Sequence, residues 1–147
     1  VGDADAEAAF LRDALELEFI IGDLLFGPEV ERMIGLPPGA GLDFRVFGDP
    51  EEPLGRIEIV EYQRTAGEDR YTRARPPARG LLLAGWRCAD LAPLRARLAG
   101  LGVTVTEHGE IDAIYGHGEV ISFASPAGFR IEVQARRRPQ AGIPSGN

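Results

Sequence analysis

The sequence predicts an α+β fold built from two successive βαβββ modules, and three observations carry that prediction. A motif occurs twice. Asp49-Pro50 leads to Gly55-Arg56-Ile57-Glu58-Ile59-Val60, and Ser125-Pro126-Ala127-Gly128 leads to Phe129-Arg130-Ile131-Glu132-Val133. Both read as a Pro/Gly turn followed by a strand that alternates with a period of two. The front of each half also matches, a short acidic turn opening an amphipathic helix. Finally, a stretch rich in Arg, Pro, Thr and Gly separates the halves. These divide the chain into a first module at 1–64, a linker at 65–79, a second module at 80–136 and a tail at 137–147. The composition of the tail predicts disorder.

Taken in order, Asp3 or Asp5 suits the cap of a helix over 6–15, with Ala9 or Phe10, Ala14 and Leu17 on one side. Residues 17–25 can supply a strand, with Gly22 as a bulge or bend. Pro28 opens a short helix to Ile34, and Leu42 to Phe47 alternates as a strand. In the second half, Gly80 to Cys88 is a continuous apolar strand. Leu91, Leu94, Leu98 and Leu101 form the stripe of a helix over 91–99, stopped by Gly100 and Gly102. Strands are expected at 103–107 and 119–124, with a Gly-punctuated loop at 108–118. Superposing the halves sets Val1 opposite Cys88, so the opening strand of the first module is expected to lie before Val1; without it the sheet would show an unpaired edge.

Composition removes several function classes. The net charge is −7, whereas phosphate recognition needs a basic face, so no nucleic-acid partner is expected. The basic run Arg136-Arg137-Arg138 reads as a solvated tail. All 16 basic residues are Arg, which excludes lysine Schiff bases and a P-loop. No apolar run approaches the roughly 20 residues of a membrane span. A single cysteine, Cys88, excludes an intrachain disulfide and fits a reducing, cytoplasmic setting and a small buried hydrophobe. The Arg, Ala and Gly bias points to a GC-rich bacterial genome.

The repeat makes Glu58 and Glu132 equivalent carboxylates. If Ile57, Ile59, Ile131 and Val133 pack under the helices, both glutamates turn to the opposite, concave side; if the isoleucines line that side, both are solvated. Two carboxylates in one apolar cavity repel, which raises one pKa and suits general acid/base work. His117, between Gly116 and Gly118, is a candidate loop acid/base or an exposed histidine; His108 reads as exposed. Tyr62 and Tyr115 are candidate ligand contacts. Trp86 serves either as a core anchor or as a wall for a flat ligand. Arg130 either pairs with Glu132, binds an anionic ligand or faces solvent.

Over Val1 to about Gln134 the chain resembles the vicinal-oxygen-chelate superfamily, the glyoxalase, bleomycin-resistance and ring-cleaving-dioxygenase group. Ala9-Phe10-Leu11-Arg12-Asp13-Ala14-Leu15 is similar to its first helix. GLLLAGWRCADL is similar to its strand-to-helix turn "GxxHIAFxVxDL", and the segment from Ser125 to Glu132 to its "DPdGnxxEl" turn and strand, with Ser for Asp. The resemblance implies paired βαβββ modules forming a curved mixed sheet around a cavity, the glyoxalase/dioxygenase-like fold. It also implies a divalent metal (Mg2+, Mn2+, Fe2+ or Zn2+) held by His, Gln or Glu from the opening and closing strand of each module. Carried over, the metal ligands are Glu58 and Glu132, while the usual His falls on Leu83, which coordinates nothing. A small-molecule substrate or ligand is implied, as is pairing of modules within a chain or across a homodimer. Two functions follow: a lyase, isomerase/epimerase or dioxygenase acting on a small oxygen-rich molecule, or a metal-free, drug-sequestering binder.

Overall fold

The computed structural model describes residues 1–52, 54–68, 71–74, 79–113 and 116–135. Helix α1 spans Ala4–Leu15. The Asp3 carboxylate accepts from the Ala6 amide (2.9 Å) and Asp5 and Glu7 sit in the first turn, where the helix dipole favours negative charge. The helix ends at Glu16, which takes a left-handed φ of 56°. The Leu17 amide then turns back to the Leu11 carbonyl.

Strands β1 (Glu18–Phe26), β2 (Gly41–Gly48) and β3 (Ile57–Gln63) follow, with the short helix α2 (Pro28–Ile34) between β1 and β2. They form an antiparallel sheet in the order β1-β2-β3. The second half gives β4 (Ala84–Cys88), α3 (Ala92–Gly100), β5 (Thr106–Ala113), β6 (Gly116–Ala124) and β7 (Arg130–Ala135). These strands lie in the order β4-β7-β6-β5, with β4 parallel to β7 and the other pairs antiparallel. The second half is a full βαβββ module. In the first, the Val1 ammonium donates to the Val60 carbonyl (2.7 Å), against the β3 edge that corresponds to the β7 edge covered by β4. A single 3-10 turn, Tyr71–Arg73, lies within the linker.

One core joins the halves. Ala4, Ala8, Leu11 and Ala14 of α1 and Leu94 and Leu98 of α3 pack with Phe47 and Ile59 of the first sheet and Ile121, Phe123, Ile131 and Val133 of the second. Phe10 meets Phe123 in a tilted ring contact with centroids 6.1 Å apart. Buried Glu7 accepts from the Ala127 amide (3.0 Å), tying α1 to the β6–β7 turn. Arg97 of α3 donates to the Ala14 carbonyl (2.9 Å), satisfying one of the acceptors left open at the end of α1.

Several sequence expectations are corrected. The segment 108–118 is not a loop: β5 and β6 run through it as the arms of a hairpin. Glycine and polar residues outnumber apolar ones here, so hydrophobic alternation is weak, and the two strands pair along this stretch through ladder hydrogen bonds. Residues 103–105 precede β5 instead of opening it. Strand β4 begins at Ala84, not Gly80, because its pairing with β7 starts at Ala84–Ile131 and Gly80 takes a φ of 124°. The irregularity in β1 falls between Phe19 and Ile21, ahead of Gly22. Gly22 instead serves close approach, since a Cβ there would strike the Phe44 carbonyl. The expected tail, 137–147, lies outside the described residues.

Candidate functional site

Ile59, Ile131 and Val133 are buried in the helix-side core and Ile57 packs against it. Alternation then turns Glu58 and Glu132 to the faces away from the helices. The two differ in their surroundings. Glu58 is exposed on the open face of the first sheet, opposite Val46. Glu132 is half-buried and lines a cavity of about 390 Å³ on the open face of the second sheet.

That cavity is assembled strand by strand. Register sets Glu132 beside Gly85 of β4 on one side and Ser122 of β6 on the other, with Thr106 of β5 beyond. Arg130, two residues before Glu132 on the same face, stands beside Ala124. Leu83 lines the rim just ahead of β4. His108 reaches the same face through a β-bulge. The register shifts between Glu107 and Gly109, and Gly109 takes a left-handed φ of 70°, a conformation glycine adopts without steric cost. The His108 Nε2 and Ser122 Oγ are 2.7 Å apart. No residue of the first sheet lines this cavity.

The guanidinium of Arg130 is fixed from two sides. Its Nε donates to the Leu82 carbonyl (3.1 Å) and its Cζ lies over the Tyr71 ring, 5.4 Å from the centroid. The Tyr71 hydroxyl accepts from the Arg130 amide (3.1 Å) and donates to the same carbonyl (2.8 Å).

The other candidates lie elsewhere. Tyr62 shares the open face of the first sheet with Glu58 and is exposed. Trp86 packs against the core on the helix side, one step out of phase with Gly85. His117 is an odd number of residues from Ser122 and so stands on the opposite face of β6. It bonds Asp112 Oδ1 through Nδ1 (2.6 Å) and Glu110 Oε2 through Nε2 (3.0 Å). Those two carboxylates, Asp112 foremost, raise its pKa. Tyr115 lies outside the described residues. Cys88 packs against the core, and burial pushes its thiol pKa up.

Sequence reasoning brought Glu132, Arg130 and Leu83 forward, read His108 as exposed, which it is, without placing it at the cavity, and did not single out Ser122. The available signal was His108-Gly109 directly after a strand, the pattern of a bulge that re-aims a side chain. A second hollow, between α1 and the β6–β7 turn, is mostly apolar. Its Asp13 is paired with Arg12, and its Ser125 hydroxyl accepts from the Phe129 amide.

The donors lining the cavity fall short of a zinc site. Leu83 stands where the resemblance places a histidine, and among the described residues no group of three His, Cys, Asp or Glu side chains gathers at a point. Structural zinc takes four protein ligands and catalytic zinc three.

No protein-family profile and no curated protein matches the sequence. Solved structures do match. A glyoxalase family protein from Bacillus cereus superposes with a TM-score of 0.73 at 18% identity, covering 92% of this chain and 87% of its own. TnmS3, an antibiotic-binding protein from a Streptomyces species, gives 0.54 at 16% identity, covering 93% and 89%. The fosfomycin resistance protein FosX from Listeria monocytogenes, solved with Mn(II) and a dihydroxypropylphosphonic acid, gives 0.53 at 18% identity, covering 93% and 84%. No helix among the described residues is long and apolar enough to cross a membrane. The chain therefore has the fold of the vicinal-oxygen-chelate proteins, with glyoxalase-like, antibiotic-binding and fosfomycin-resistance structures among those it resembles.

Proposed function

We propose that the chain captures a small oxygen-bearing molecule in the second-module cavity without a resident metal. The observation that carries this reading is the lining. A partly enclosed, mostly apolar hollow of about 390 Å³ with His108, Ser122, Arg130 and Glu132 in its lining is kept, and the position expected to hold a metal-binding histidine is Leu83. The volume falls within the range of small-ligand pockets, and the antibiotic-binding structure of the same fold supports ligand capture as a use for such a hollow.

The test is thermal denaturation against a panel of small carboxylates, phosphonates, diols and aromatic natural products, with EDTA or with added Mn(II). Stabilisation by a panel member that survives EDTA, is altered by Glu132→Gln and is unaffected by Glu58→Gln supports capture in this cavity. Stabilisation that requires Mn(II) and is lost in both glutamine variants would instead establish the two-glutamate metal site and overturn the proposal.

A second reading, a metal-free isomerase, epimerase or lyase, is favoured by the His108–Ser122 contact beside Glu132. Glu132 would take a proton from carbon next to a carbonyl, and His108 would return one, directly or through the Ser122 hydroxyl. Exchange of a bound ligand's C–H proton for solvent deuterium, lost in Glu132→Gln, separates this reading from simple capture. Homodimerisation is also part of the proposal. Phe19, Ile21, Leu24 and Phe26 of edge strand β1 and Met33 of α2 are exposed and support it. Light scattering that returns a monomer mass at high concentration would remove it.

A further inference from the structure

We propose that Arg130 is the anchor for an acidic group, so that the ligand of this cavity is a small carboxylate or phosphonate carrying an apolar body. The inference rests on the cavity being the ligand site and adds the chemical class of what enters it. An arginine side chain has five N–H donors and no acceptor. The Nε of Arg130 is used on the Leu82 carbonyl, yet one terminal nitrogen, Nη2, is buried and has no hydrogen-bond partner among the described residues. No described carboxylate forms an ion pair with it: the arginine ion pairs among the described residues use Arg12, Arg45, Arg73, Arg95 and Arg97. A buried cationic donor without a partner is costly, because its hydration has been removed and nothing replaces it.

The surroundings hold the guanidinium that carries this donor in place. The cation–π contact with Tyr71 and the bond to Leu82 hold the guanidinium before any ligand arrives, so little ordering remains to be done on binding. On β6 the residue opposite is Ala124, whose methyl group competes for no hydrogen bond. Leu83, also in the lining and 44% exposed, offers an apolar surface for the remainder of the molecule. The repeat supplies an internal comparison. Arg56 occupies the equivalent place in the first module, but it is exposed and lies outside this cavity. Within a chain of net charge −7, Arg130 thus places a cationic donor in the cavity lining, alongside the Glu132 carboxylate.

The experiment titrates the 147-residue chain with benzoate, phenylphosphonate and neutral benzamide at fixed pH and ionic strength, followed by NMR of backbone amides and the Arg130 Nε–H. Saturable binding of at least one anion is expected, with a shifted Arg130 resonance. Benzamide is expected to bind at least about tenfold more weakly, a difference of about 1.4 kcal/mol. Arg130→Gln should weaken the anion at least about tenfold, while Arg56→Gln leaves it unchanged. Whether benzoate or phenylphosphonate binds more tightly decides between a planar and a tetrahedral acid. If benzamide binds as well as the anions in the same cavity, the anion anchor is overturned and the cavity survives. If none of the three perturbs the cavity, the anchor is overturned together with the capture reading. Should Arg130→Gln fail to fold, the wild-type Nε–H decides alone: a shift with the anions and not with benzamide supports the anchor, and no shift overturns it.

Discussion

Gly85 is the position where stability and binding should move in opposite directions. It pairs with Glu132 across β4 and β7, so a side chain added there would stand beside that carboxylate on the cavity face. A Cβ at Gly85 meets no atom within 4 Å, and Gly85 is absent from the residues of positive φ. Nothing in the backbone therefore requires glycine. Glycine within a strand costs about 0.5–1 kcal/mol relative to alanine, and aromatic residues are favoured on pleated surfaces, on a scale spanning about 1 kcal/mol. Gly85→Phe should thus stabilise the fold by about 0.5–1 kcal/mol. At about 2–4 °C per kcal/mol for a chain of this size, the melting temperature should rise by about 1–4 °C. The added ring occupies space over Glu132 and should weaken benzoate at least about tenfold. Calorimetric melting and the NMR titration read the two effects separately. A fall in melting temperature of more than about 3 °C would show that the space is not open. Unchanged benzoate affinity in a folded variant would show that binding happens elsewhere, and either result refutes the reasoning.

Three further outcomes follow from the backbone and the charges. A Cβ at Gly118 would collide with the Ala135 carbonyl of the neighbouring strand, so Gly118→Ala should cost about 1–3 kcal/mol by overpacking, read as a lower denaturation midpoint. Glu16 holds a left-handed conformation that costs an L-residue roughly 1–2 kcal/mol, whereas its ion pair with Arg97 is largely solvated and worth about 0–1 kcal/mol. Relief of the backbone should win, so Glu16→Gly should raise stability by up to about 1 kcal/mol; a clear loss in chemical denaturation would contradict this. The pKa of His117 is raised above the ordinary 6.5, first by Asp112 and then by Glu110. Its contribution to hairpin stability is therefore complete below the unfolded value and is lost as pH rises through the folded one. An NMR titration of the imidazole should show a midpoint above 6.5 that drops in Asp112→Asn.

The parts of the fold that could be read in advance are those where burial writes a period into the sequence. The isoleucines and valine around Glu58 and Glu132 alternate because one face of β3 and β7 goes into the core. The helices announce themselves through leucine spacing and the Asp3 cap. The hairpin of β5 and β6 could not be read this way, since Thr106-Glu107-His108-Gly109-Glu110 offers water-compatible side chains to both faces. What organises it includes Arg95 of α3, which binds both Glu107 (2.6 Å) and Glu119 (2.7 Å) from a distant element. The site shows the same division. Glu132, Arg130 and Leu83 were visible through the repeat and the resemblance. The pairing of His108 with Ser122 depends on a bulge whose effect exists only once strand register is set. Which way the glutamates face was likewise undetermined until the helices took one side of each sheet.

The repeat also shows why a motif alone does not make a site. Arg56-Ile57-Glu58 and Arg130-Ile131-Glu132 carry the same residues on strands of the same phase, so local sequence gives them equal standing. Their neighbours do not. Glu132 lies on a strand covered by β4 on one side and β6 on the other, with Gly85 leaving room and Ser122 offering a hydroxyl. Glu58 lies on β3, which among the described strands pairs only with β2, and the residue opposite it is the apolar Val46. Partial burial of Glu132 and immobilisation of Arg130 are therefore properties of flanking strands and of Tyr71, which reaches back from the linker between the modules. It follows that Tyr71→Phe, which removes the two hydrogen bonds of the hydroxyl but keeps the ring, should loosen Arg130 without unfolding the chain. Benzoate binding should weaken by less than in Arg130→Gln, with faster motion at the Arg130 Nε–H. Binding and dynamics identical to wild type would mean that the strand alone orders the arginine and that the linker contributes nothing to the site.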